Sequence, residues 1–316
     1  MSVRTRRPPR LPEEQQRNLQ RAKILEYWTL AFLASVSAVM YLAMGGSQAM
    51  KTAFVEDLLS LVPPVVFLLA VRVRDRAPDE DFAYGHQRAV TLAFLCAAVA
   101  LSGVGVFLVF DSVRTLVTAE HPAIGLTSLF GYPLWSGWVM IAALLYSVIP
   151  PVMLGRMKVK LARELHDKAL YADAEMNRAD WMTGAAGIGG IVGIGFGWWW
   201  ADALAALVIA LDVTRDGFVN AKRAADDLMD HRPRTVDRAE LDPLLSQIEQ
   251  RVRQLSWVKQ AKLRFREEGQ LLCGEVFVVP RDAADLILRL DEAERCARDT
   301  HWRVYDVTAT AISKLD

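Results

Sequence analysis

Four long runs without a charged residue constrain this chain more than anything else in it: 27–50, 89–110, 134–154 and 181–200. Each reaches or approaches the roughly 20 apolar residues that a helix needs to cross a bilayer. A fifth run, 53–71, is interrupted only by Glu56 and Asp57, and a short sixth, 203–211, lies between Asp202 and Asp212. A charge inside a membrane helix is costly, so it normally faces protein or water and serves a function.

Basic residues sort the connecting loops into two sets. Sixteen Lys and Arg lie before Tyr27, in 72–88 and in 156–168; the opposite loops hold two, Lys51 and Arg114. That asymmetry predicts cytoplasmic termini, and it works only with six spans. Trp135, Trp138, Trp198, Trp199 and Trp200 fall near the span ends on the other side, where aromatic belts form. Arg6 and Arg7 sit in a basic arm, 1–26, suited to anionic lipid. The six-helix unit is expected over 27–222.

From about residue 228 the pattern becomes that of a soluble protein. Helical periodicity over 237–255 is followed by strands at 258–265 and 271–279 around a turn at Glu267-Glu268-Gly269. A helix over 282–298, capped by Asp282, and a strand over 303–312 complete an αββαβ order. The expected fold is thus a six-span α-helical membrane protein with a cytoplasmic α+β domain, 228–316, its helices on one face of a sheet. A domain that small has a marginal core, so a homodimer is expected.

The overall charge is balanced, 37 basic against 37 acidic residues, which argues against a nucleic-acid partner. Cys96, Cys273 and Cys296 have no metal-binding or disulfide spacing. The spans show no paired histidine or nucleophile and the chain no phosphate loop, so neither an enzyme nor an ATP-driven pump is expected.

The chemistry concentrates on two spans. Glu56, Asp57 and Ser60 lie on the second, with Glu56 and Ser60 one turn apart on a shared face. Asp173, Met176 or Asn177, and Asp180 step by three or four along the entry to the fifth. Acidic oxygens from two helices at membrane depth suit a divalent cation. Asp202 is expected at the outer mouth, and Asp212 either in the membrane or at its inner boundary. His86 reads as interfacial, His166 and Asp167 as a solvated face, and His121 as an outer-loop residue.

The pattern resembles the cation diffusion facilitator family of divalent metal transporters. Segment 47–60 is similar to that family's second-helix motif, and 82–88, with Tyr84-Gly85-His86, to its motif before the third. Segment 172–180 resembles the fifth-helix motif and 200–207 the start of the sixth. The resemblance implies a ferredoxin-like soluble domain, a dimer, no covalently bound cofactor, and export of a divalent metal in exchange for protons. In the family, two aspartates of helix two and a histidine and an aspartate of helix five hold the metal. The matching positions here are Glu56, Ser60, Met176 and Asp180. Either Ser60 and Met176 are ligands, or Asp57, Asp173 and Asn177 take their place. An oxygen-rich site around Glu56 and Asp180 is favoured, which among Mn, Fe, Co, Zn and Mg points away from zinc. Met176 cannot carry a proton, so the carboxylates are expected to do so. With only His231 and His301 near it, the soluble domain is expected to dimerise more than to sense metal. The other reading is a membrane scaffold or metal receptor that has kept the fold and lost transport. The plasma or inner membrane is the expected location.

Overall fold

The computed structural model describes residues 11–74, 80–82, 85–119, 124–129 and 132–315. Arg6, Arg7, Tyr84 and His121 lie outside these residues.

Helix α1 (Glu13–Ala43) begins well before the first apolar run, and its early residues Leu19 and Ala22 are buried. The run 27–50 does not continue as one helix. It breaks at Gly45, whose φ of +49° is a left-handed conformation open to glycine, and Ser47 caps the next helix. That helix, α2 (Gln48–Leu59), therefore starts earlier than the second run suggested, and Glu56 and Asp57 sit near its end.

The helix pauses at Ser60 and resumes as α3 (Val62–Arg74). Proline has no N–H to give a helix ladder but is tolerated in a first turn, where no partner is needed. Pro63 and Pro64 occupy that position in α3, so the interruption accommodates both.

Helix α4 (Gln87–Val117) follows, then a short antiparallel hairpin, β1 (Leu126–Leu129) and β2 (Tyr132–Trp135), which the sequence reading did not anticipate. Helix α5 (Ser136–Leu165) ends at His166 in a left-handed turn (φ 52°). Asp167 caps α6 (Lys168–Gly195) by accepting from the backbone N–H groups of Ala169 and Leu170. The weak sixth run is part of a continuous helix, α7 (Ala201–Leu228), of 28 residues.

Four helical stretches among the described residues are long and apolar enough to cross a membrane: α1, α2 with α3, most of α4, and α5. Helices α6 and α7 pack against each other and against members of this set. A shared core joins the bundle through Val36, Met50, Leu144, Ile191 and Ile209. Small residues let the helices approach closely. A Cβ on Gly217 of α7 would lie 2.6 Å from the backbone nitrogen of Ser102 in α4, and one on Gly105 of α4 would lie 2.8 Å from the backbone of Thr214. A Cβ on Gly190 of α6 would meet Ala205 of α7 at 2.8 Å.

The C-terminal part holds α8 (Pro243–Arg253), β3 (Val258–Glu268), β4 (Leu271–Pro280), α9 (Leu286–Arg298) and β5 (Val304–Ala311). The expected order of elements is present. Strand β4 is central, antiparallel to β3 and parallel to β5. Ile248, Val252, Ala293 and Ala297 of the two helices bury one sheet face with Val276, Val278 and Val307. Two helix starts differ from expectation. Helix α8 begins at Pro243 with Asp242 as its cap, because Thr235 and Asp237 engage in a local turn instead. Helix α9 begins at Leu286; Asp282 accepts from the backbone N–H of Ala284 and pairs with Arg289 at 2.6 Å. The hairpin turn falls one residue late, so Glu267 and Glu268 belong to β3.

Two sets of ionic contacts join this part to the helical bundle. Arg88, at the start of α4, pairs with Asp230 just after α7, and Asp230 lies 3.7 Å from Arg266 of β3. Around His166, Arg303 reaches Asp242 at 2.6 Å and Glu267 at 3.3 Å, and Lys168 also pairs with Glu267.

Candidate metal centre

Glu56, Ser60, Met176 and Asp180 line a single small cavity between α2, α6 and α7. The four positions singled out by the motif comparison are therefore gathered in space. Leu101, Asp212, Val213 and Asp216 complete the lining. Asp212 was left undecided by the sequence, and Asp216 was missed. The clue was their spacing of four on one helix, hidden because hydropathy ended the span at Leu211.

The two oxygens of Glu56 differ in their surroundings. One accepts a 3.0 Å hydrogen bond from Thr183 of α6; the other is shut from solvent and has no hydrogen-bond partner among the described residues. A buried carboxylate oxygen without a partner is costly, and a cation is a natural counterpart. Ser60 is only partly available, since its hydroxyl donates to the Glu56 carbonyl at 3.0 Å. Its oxygen can still accept or ligate. Asn220 of α7 directs its amide to the Met176 sulfur at 3.6 Å.

The remaining candidates do not line the cavity. Asp173, on the same helix as Met176 and Asp180, is not among the residues lining it. It lies 2.5 Å from the ammonium of Lys158, which also meets Glu26 at 2.8 Å, all three buried; Asn177 donates to Asp173 at 3.2 Å. This triad ties α1, α5 and α6 together, and a carboxylate already occupied by a buried ammonium is a poor metal ligand. Asp57 is not among the residues lining the cavity, and one of its oxygens is shut from solvent with no hydrogen-bond partner among the described residues.

Asp202 is not at an open mouth. It is fully buried and accepts from the Ser47 hydroxyl at 2.6 Å and from the backbone N–H groups of Gln48 and Ala49, closing the first turn of α2. His166 is not on a solvated face either, its side chain being 16% exposed between Asp242 and Glu267, 3.5 Å from each. These three could hold a metal by spacing alone. Arg303 and Lys168 already neutralise the two carboxylates, which makes the cluster a joint between the bundle and the soluble part. His86 lies beside Phe82, ring centroids 4.5 Å apart and tilted by 40°.

A second cavity shares a wall with the first, and a third shares a residue with the second. The second has Leu101 and Met176 in common with the first and is otherwise mostly apolar, with Phe94 and Pro63. The third shares Phe94 with the second and is walled by Lys168, Arg223, Asp227 and Glu267 beside the soluble part.

Comparison with known proteins identifies a family. Residues 27–229 match the family model of the cation efflux transmembrane domain. The chain is similar to the manganese efflux system protein MneS of Bacillus subtilis, 25% identical over 58% of this chain and 59% of that protein. It is similar to the cation-efflux pump FieF of Klebsiella pneumoniae, 26% identical over 58% of each. FieF of Shewanella oneidensis matches at 23% identity over 88% of this chain and 90% of its own length. The match thus spans somewhat under two thirds of the first two relatives.

Proposed function

The chain belongs to the cation efflux family, the cation diffusion facilitator transporters, and from that premise we propose that it exports a divalent metal cation in exchange for protons. It is an integral membrane protein and a transporter, not an enzyme. The metal is held between α2 and α6, with Glu56 and Asp180 as the principal charged ligands and Ser60 and Met176 beside them. The observation that carries this reading is the cavity that these four residues share.

Two carboxylates and a hydroxyl favour a hard cation over zinc. Manganese is the first ion to test, as one relative is named for manganese efflux. Burial raises the cost of charged carboxylates and bound metal lowers it, so metal and protons compete for the same oxygens. Proton-loaded and metal-loaded forms then favour opposite faces of the membrane.

We further place six spans in α1 to α7, with α2 and α3 forming one. Both termini lie in the cytoplasm of a plasma or inner membrane, as the basic loops indicate. The unit 27–222 carries transport, and the ferredoxin-like domain 228–316 joins two copies. The test is uptake into proteoliposomes of Mn, Fe, Co, Zn and Mg, with and without an imposed pH gradient. Transport that fails in Glu56→Ala and Asp180→Ala supports the site; transport that ignores the gradient overturns the coupling. If no metal moves, a scaffold or receptor is the better description.

A further inference from the structure

We propose that Asp212 and Asp216 of α7 are additional ligands of the transported cation, so that three helices enclose it. The inference rests on the site proposed above and adds a third wall to it.

Asp212 and Asp216 stand one helical turn apart and line the same cavity as Glu56 and Asp180. Their direction is set by packing. Helix α7 is pressed against α4 at Gly217 and Ser102 and at Thr214 and Gly105, with no room for a side chain between the backbones. That contact fixes the rotation of α7 and turns the neighbouring positions 212 and 216 toward α2 and α6.

The charge balance then needs a partner. The described lining of this cavity holds four carboxylates and no Lys, Arg or His. Arg215 pairs with Asp212 at 3.8 Å, but its side chain is 74% exposed and lines an outer cleft between α6 and α7, to which Asp212 also contributes, and not the cavity itself. The unpartnered, solvent-shut oxygen of Glu56 sits among these acids. A divalent cation would satisfy that oxygen and offset the mutual repulsion of its neighbours.

The same arrangement accounts for the two weak positions. Ser60 brings no charge, and the Met176 sulfur already receives the Asn220 amide. Two aspartates from α7 restore the anionic ligands that those positions lack. Four carboxylates and a hydroxyl suit a hard cation with about six oxygen ligands, such as Mn²⁺ or Mg²⁺, better than a tetrahedral zinc ion.

The test is direct Mn²⁺ binding by the purified full chain in detergent, followed by titration calorimetry and by the Mn²⁺ electron paramagnetic resonance signal. Asp216→Asn and Asp212→Asn are each expected to weaken Mn²⁺ binding about tenfold or more, about 1.4 kcal/mol per decade. Wild-type affinity in both, alongside loss of binding in Glu56→Gln, overturns the third wall and leaves the two-helix site standing. Wild-type affinity in Glu56→Gln and Asp180→Asn as well overturns both readings. Should the α7 variants not fold, water bound to Mn²⁺ in the wild type decides. A three-helix cage leaves about two water ligands or fewer of the six, whereas about four waters contradict it.

Discussion

The hydroxyl of Ser47 donates a 2.6 Å hydrogen bond to the carboxylate of Asp202, across 155 residues of sequence. The same carboxylate accepts from two backbone N–H groups at the start of α2, so the last helix of the bundle caps the second. Hydrogen bonds to a charged acceptor are among the stronger ones, and orphaned buried donors are costly. Asp202→Ala is expected to destabilise the protein by about 2–4 kcal/mol, combining lost charged bonds and unpaired donors. Ser47→Ala, which removes that donor and the cap acceptor of the Met50 N–H but leaves the backbone bonds to Asp202, should cost less, about 1–2 kcal/mol. Thermal unfolding in detergent checks the order; equal midpoints for the two variants would contradict it.

The Lys158 triad yields an asymmetric expectation. Lys158→Met leaves Glu26 and Asp173 buried with no counter-charge, and should cost about 3–5 kcal/mol. The triple change Lys158→Met, Glu26→Gln, Asp173→Asn removes all the charges and should recover much of that loss. Comparing the yield of monodisperse protein among the wild type, single and triple variants measures it. A triple variant no better than the single one would refute the assignment.

The joint around Arg303 should respond to acid. Burial opposes ionisation of Asp242 and Glu267, yet the surrounding positive groups outweigh it. Arg303 holds the Asp242 carboxyl below its ordinary value, and His166, Lys168 and Arg303 do the same for Glu267. A carboxyl lowered by folding stabilises the fold above its unfolded pKa, about 4, and loses that contribution as pH falls through the lower folded value. Melting of the soluble part, followed by tryptophan fluorescence, should therefore hold from pH 7 to about 5 and drop steeply near pH 3. In Arg303→Ala the melt should already be low at neutral pH and its acid dependence should move upward. A melt insensitive to pH throughout would count against the network.

Cys273 offers a chemical check of burial. Its thiol is pushed up to about 12 by burial, with Glu268 adding to the effect. Only thiolate reacts readily with alkylating agents. Iodoacetamide at mildly alkaline pH should leave Cys273 unmodified in the native chain and modify it after denaturation, as read by peptide mass spectrometry. The half-buried Cys296 should react first of the two.

The α4–α7 contact can be probed by size. Gly217→Val forces a branched side chain against the Ser102 backbone and should cost about 1–3 kcal/mol by overpacking. Since that contact sets the rotation of α7, metal binding should fall along with the thermal midpoint. Gly103→Ala is the control, because a methyl group there meets nothing within 4 Å.

Much of the bundle was legible from sequence because hydropathy and charge act locally. The position pairs 56 and 60, and 176 and 180, read as helix faces and meet in one cavity. What escaped depends on long-range or non-periodic features. Nothing near Asp202 signals that it caps a helix at Ser47. Lys158 and Asp173 are 15 residues apart but meet because His166 turns the chain back in a left-handed conformation that a histidine seldom adopts. Asp216 was lost because Asp212 and Arg215 made α7 look finished at its apolar end. A helix sheltered by neighbours on several sides need not advertise itself by hydropathy.

Helix α7 runs unbroken and without proline from the Asp202 cap, past Asp212, Asp216 and Asn220, to Asp227, which holds Arg238 at 2.5 Å. Helix α2, by contrast, stops at Ser60, next to the same cavity. One wall of the chamber is thus a stiff axle geared at both ends, and the facing wall carries a joint. The break at Ser60 gives the facing wall a place to bend that the continuous α7 lacks.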